Sequence, residues 1–170
     1  PAPQRILFLG NSITLHGPAP EIGWTGNWGM AASAEAKDYV HLVTAALEKD
    51  AGVRPDIRVK NIADFERGLA AYEPARALQS ELSFKPQMVI LAIGENAADP
   101  ATAEAQQVFA SAMDRLLGEL KKAGAPDIII RSCFWPHATK DRLLREAAER
   151  AAADFVDISA LGRNPANEAR

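Results

Sequence analysis

A serine stands two residues past the end of a short apolar run in Arg5-Ile6-Leu7-Phe8-Leu9-Gly10-Asn11-Ser12. Consecutive apolar residues closed by a glycine read as a buried strand, and a serine on the turn leaving it exposes its hydroxyl beside free backbone N–H groups. A hydroxyl so placed is a candidate nucleophile for acyl transfer. It needs donors aimed at the developing oxyanion and a base to take its proton. Asn96, in Gly94-Glu95-Asn96, offers a side-chain amide. Gly68, the only glycine between Gly52 and Gly94, offers a backbone N–H that a substrate carbonyl can approach closely. With the Ser12 N–H they make three candidate oxyanion donors.

The elements that must bring these residues together follow from the apolar pattern. Buried runs alternate with helical periodicity, which predicts a parallel sheet with helices on both faces. Strands are expected at Arg5–Gly10, Asp56–Asn61, Gln87–Gly94, Asp127–Cys133 and Asp154–Ile158. A helix is expected over Ala31–Lys49, and the clearest one over Pro100–Ala123, where Phe109, Met113, Leu116, Leu117 and Leu120 form a stripe at helical spacing. The tail Gly162–Arg170 reads as loop. The expected architecture is a three-layer α/β/α sandwich around a five-stranded parallel sheet, in one domain over residues 1–170. In such a sheet every strand carboxyl end faces the same side. The loops carrying Ser12, Ala63–Gly68, Gly94–Asn96 and Trp135-Pro136-His137 are therefore expected to form one site.

Composition narrows the function classes. A net charge of -3 gives no basic footprint for nucleic acid, and no apolar stretch is long enough to span a bilayer. The single cysteine, Cys133, excludes an internal disulfide and reads as a small core residue at a strand end. No His, Cys or carboxylate cluster has metal-ligand spacing, so neither metal nor other cofactor is expected. Nothing in the composition assigns a compartment or an oligomeric state.

Gly10-Asn11-Ser12 resembles the first sequence block of the SGNH (GDSL-like) hydrolases, usually Gly-Asp-Ser, and Gly94-Glu95-Asn96 resembles their third, usually Gly-x-Asn-Asp. Gly68 is similar in position to their second-block glycine. The likeness runs along essentially the whole chain, because the element order also matches that family's flavodoxin-like fold. It implies an esterase or acylhydrolase, with Ser12 as nucleophile and Gly68 and Asn96 completing the oxyanion hole. Asn11 stands where Asp is usual, and Ala97 follows Asn96 where Asp is usual.

The base is the gap. The resemblance implies an Asp-x-x-His pair before a C-terminal helix. Asp38-Tyr39-Val40-His41 has that pattern, but inside the expected helix Ala31–Lys49 it would lie well away from the strand ends. The true pair, and the helix that should cover the sheet after its fifth strand, are expected beyond Arg170. His137, with Asp141 as its only evident orienter, is the substitute base within the chain, and His16 is assigned to the entrance loop. A chain with no base at all remains the third possibility. Trp24, Trp28 and Trp135 are either pocket walls or packing residues, and Asp157 caps a turn. The expected substrate is a small acyl ester, such as that of an acetylated carbohydrate. Two rival readings stand beside it: a non-catalytic flavodoxin-like module that cradles phosphate or flavin at Gly10–Thr14, and a degenerate hydrolase that binds without cleaving.

Overall fold

The computed structural model describes residues 2–30 and 32–167. Five strands, β1 (Arg5–Gly10), β2 (Asp56–Asn61), β3 (Met88–Ala92), β4 (Asp127–Arg131) and β5 (Asp154–Val156), pair in parallel in the order β2-β1-β3-β4-β5. The chain thus runs outward from β1 to β2, then returns to the other side of β1 to place β3. That reversal opens a crevice at the carboxyl ends of β1 and β3, where open α/β sheets bind their ligands.

Alternation along β1 divides the core. Leu7 and Leu9 face a cluster containing Phe65, Phe109, Met113, Leu116 and Leu144. Those side chains come from α2 (Ala63–Gly68), α5 (Ala103–Lys122) and α6 (Ala138–Arg150), with the short helices α3 (Pro74–Ala77) and α4 (Gln79–Ser83) lying between α2 and β3. Ile6 and Phe8 face the other way, onto Val40 of α1 (Tyr39–Ala51). Successive side chains of a strand point to opposite faces, so a run apolar at every position must be covered on both. No helix among the described residues is long and apolar enough to cross a membrane.

Three strands stop two residues short of their expected carboxyl ends, because the next N–H groups bond to side chains. The Gly94 N–H donates to Glu66, that of Cys133 to Asp141, and that of Ile158 to Ser132 Oγ. The helix expected at Ala31–Lys49 begins only at Tyr39. Asp38 is its N-cap, with Oδ1 accepting the His41 N–H at 2.8 Å, and the turn Glu35–Lys37 precedes it. Residue 31 lies outside the described residues. The tail expected as loop carries a four-residue helix, α7 (Ser159–Gly162), and a 3₁₀ turn, Pro165–Asn167.

Gly10 marks the tightest point of this frame. A Cβ there would collide with the Thr14 side chain and lie 2.8 Å from the Ala92 carbonyl oxygen. Gly10→Ala is expected to cost about 1–3 kcal/mol through overpacking, read as a lower urea midpoint. An unchanged midpoint would contradict the close approach of β1 to β3.

Candidate active site

The turn after β1 is built by Asn11. Its carbonyl accepts the N–H groups of Thr14 at 2.9 Å and Leu15 at 3.0 Å, closing one helical turn. Its side chain points inward: Oδ1 accepts the Ile13 N–H at 3.1 Å, and Nδ2 donates to Glu95 at 2.7 Å and to Glu66 at 3.4 Å. Asn11 is buried, and Ser12 is left half-buried at the rim. Neither the Ser12 N–H nor its hydroxyl is hydrogen-bonded to another described residue. From β2, the Asn61 amide donates to the Leu15 carbonyl at 2.9 Å and fixes the far end of the turn.

Ser12 opens into a cleft of about 410 Å³ lined also by His16, Met30, Asn61, Ala63, Asp64, Arg67 and Asn96. The lining is mainly polar. The structure therefore brings Ser12 and Asn96 together. His16, assigned from sequence to the entrance loop, is in the cleft too. It follows the turn that Asn11 closes and pairs with Trp28 in an isolated antiparallel bridge. Its Nδ1 lies 2.6 Å from the Gly17 carbonyl oxygen, a contact that needs a proton on Nδ1 and leaves Nε2 as the lone-pair nitrogen. The segment from His16 to Trp28 folds back on itself, with Trp24 Nε1 donating to the His16 carbonyl and the two indoles packed edge to face at 5.3 Å. Both tryptophans thus hold the loop, and neither lines the cleft.

Other expected residues are not brought in. Gly68 is the last residue of α2, is absent from the cleft wall, and a Cβ there would meet nothing. His137 caps α6, its Nδ1 accepting the Lys140 N–H at 3.3 Å, and its Nε2 lies 3.3 Å from Asp99. Both ring nitrogens are committed away from Ser12. Asp141 binds the backbone N–H groups of Cys133 and His137 rather than an imidazole. Trp135 is exposed. Asp38 and His41 do form a close pair, Oδ1 to Nδ1 at 2.7 Å, at the start of α1, with Glu35 3.7 Å from Nε2. The distance argument from a helix beginning at Ala31 therefore fails, and the clamp between two carboxylates is what occupies His41. Cys133 is buried, and burial pushes its thiol up to about 12, as suits a core residue. Asp157 accepts the Ser159 N–H at 2.9 Å, in the turn that leads into α7.

The β3 loop is held from both sides. Glu66, buried on α2, accepts the Gly94 N–H at 2.5 Å, the Asn96 N–H at 3.2 Å and Asn96 Nδ2 at 2.9 Å. Buried Lys140 donates to the carbonyls of Gly94, at 3.0 Å, and Ala97. Glu95 turns the other way, to Arg131 Nη1 at 2.6 Å and the Phe134 N–H at 2.8 Å. Burial raises the Glu95 pKa, but the Arg131 charge and hydrogen bonds from Arg131, Phe134 and Asn11 outweigh it and hold it below the usual value.

No protein-family model matches the chain, and no curated protein does. Solved structures do. A protein from Parabacteroides merdae described as a GDSL-like lipase superposes with a TM-score of 0.58 at 18% identity, over 89% of this chain and 76% of that one. An acetyl xylan esterase from Butyrivibrio proteoclasticus gives 0.52 at 16% identity, over 91% of this chain and 54% of its own. A family two carbohydrate esterase from Cellvibrio japonicus gives 0.53 at 16%, over 91% and 51%. The fold is that of the SGNH, or GDSL-like, hydrolases. At these identities the likeness establishes the fold and not the reaction, and this chain spans about half the length of the two carbohydrate esterases.

The Glu95 geometry carries a pH dependence. A carboxylate whose folded pKa is depressed contributes stability that is present above its unfolded value, about 4.3, and is lost as pH falls through the lower folded value. Unfolding curves between pH 3 and 7 are expected to show a shallower acid loss for Glu95→Gln than for the wild type. Parallel curves would mean that Glu95 is not held by Arg131.

Proposed function

We propose that this protein is a serine esterase that removes a small acyl group, with Ser12 as nucleophile, from an ester whose alcohol is a carbohydrate. The observation that carries this reading is a serine hydroxyl and N–H with no partner among the described residues, at the crevice between β1 and β3 and facing a cleft shared with Asn96. Ser12 Oγ attacks the acyl carbonyl carbon while a histidine takes its proton. The negative charge moves to the carbonyl oxygen, which accepts from the Ser12 N–H and the Asn96 amide. Collapse of this intermediate expels the alcohol, protonated by the same histidine, and leaves an acyl-enzyme that water hydrolyses by the reverse route.

Within the chain, His16 is the histidine that shares the cleft with Ser12, and its free Nε2 suits a proton acceptor. The resemblance instead implies an Asp-x-x-His pair as the base. Gly68 has no part in this reading, because it is not among the residues that line the cleft. The polar wall of Asn61, Asp64 and Arg67 suits a hydroxyl-rich alcohol better than a long acyl chain. Acetyl xylan and carbohydrate esterases among the proteins of this fold agree with that choice. A phosphate or flavin cradle has less support. The N–H groups of Ile13, Thr14 and Leu15 are spent inside the turn, leaving too few donors to hold an anion.

The wild-type protein is expected to hydrolyse p-nitrophenyl acetate and acetylated xylo-oligosaccharides. Ser12→Ala should lower turnover at least about 1,000-fold, as loss of a nucleophile does, with the melting temperature unchanged. Turnover that survives in Ser12→Ala would refute the mechanism, and binding without turnover in the wild type would make the protein a degenerate hydrolase.

A further inference from the structure

Glu66 is a buried carboxylate that the proposed reaction leaves without a task, and its surroundings are unusual. It is 2% exposed, and none of the described cations forms an ion pair with it. Instead four N–H groups converge on it. Oε1 accepts from Gly94 N, Asn96 N and Asn11 Nδ2, and Oε2 accepts from Asn96 Nδ2 at 2.9 Å. A buried charge without a counter-ion is costly and is tolerated only where hydrogen bonds satisfy it. Here every partner is a donor, and three of the four bonds go to the loop that carries Asn96.

We infer that Glu66 is the positioning residue for the Asn96 amide. The inference rests on the esterase reading above. A carboxylate can only accept, so Asn96 must turn Nδ2, not Oδ1, toward it. That contact removes the near two-fold freedom of a terminal amide and commits one of its two hydrogens to Oε2. The other hydrogen is left for the cleft that Asn96 shares with Ser12. The bonds to Gly94 N and Asn96 N fix the backbone from which the amide projects. Because Glu66 also brings negative charge close to the forming oxyanion, its contribution is orientation rather than electrostatic attraction.

The test is a double-mutant cycle on p-nitrophenyl acetate with Glu66→Gln, Asn96→Ala and the two combined. Glu66→Gln, nearly isosteric, presents an NH₂ where an acceptor is required. It is expected to lower kcat about 10- to 100-fold through misplacement of the amide, with KM changed less than about twofold. In the Asn96→Ala background it should cost less than a further twofold, because Glu66 acts through Asn96. Multiplicative losses, an unchanged kcat or a faster Glu66→Gln enzyme would overturn the inference, the last by showing that charge repulsion dominates. If the wild type has no Ser12-dependent turnover, the esterase reading fails by itself. The positioning is then read from the Asn96 side-chain amide by NMR in the wild-type protein. One Nδ2 hydrogen slow to exchange with solvent supports the contact with Glu66, and two fast-exchanging hydrogens contradict it. The same spectrum decides the matter if Glu66→Gln does not fold.

Discussion

Backbone N–H groups released at the end of a strand must find partners once they are buried, and in the loop after β3 one carboxylate meets that demand. Glu66 reaches from α2 to the loop after β3 and to Asn11 of the turn after β1. It therefore ties together the loops following the first three strands. Charge-assisted bonds of this kind are roughly twice as strong as neutral ones, and here they replace the ladder that β3 abandons at Ala92. The position of Ser12 depends on the same tie, because Asn11 must turn inward for Ser12 to face the cleft.

Around that tie the charges are arranged in alternation. Arg131 faces Glu95 on one side of the β3 loop, and Lys140 holds the carbonyls of Gly94 and Ala97 from α6. Two N–H groups of the loop thus meet a carboxylate and two of its carbonyls meet an ammonium. Such networks are costly when half satisfied and rigid when complete. A rigid edge is what a site needs if its donors are to be in place before charge develops.

The sheet was legible because burial on both faces leaves a mark in the sequence. The starts of β1, β2, β4 and β5 agree with the apolar runs, and the nucleophile turn follows from the glycine that closes β1. The carboxyl ends of β3, β4 and β5 were not legible, since what stops them is a side chain supplied from elsewhere: Glu66, Asp141 and Ser132. Glu66 lies two residues before Gly68, and glycine was the more conspicuous signal for an oxyanion donor. Nothing local separates an inward-facing glutamate on a short helix from a solvent-facing one. The start of α1 could have been found. Asp38 three residues ahead of His41 is as good an N-cap spacing as it is a dyad spacing, and only the cap reading sets the helix at Tyr39. His137 is not brought to the cleft for a related reason, since a histidine opening a helix is readily used as its cap.

The proposed mechanism stands or falls on whether Ser12 is an activated serine. Incubating the protein with a fluorophosphonate probe and mapping the adduct by peptide mass spectrometry tests it without assuming a substrate. A single adduct, on Ser12, is expected. An unmodified Ser12 peptide, or an adduct confined to another serine, would contradict it.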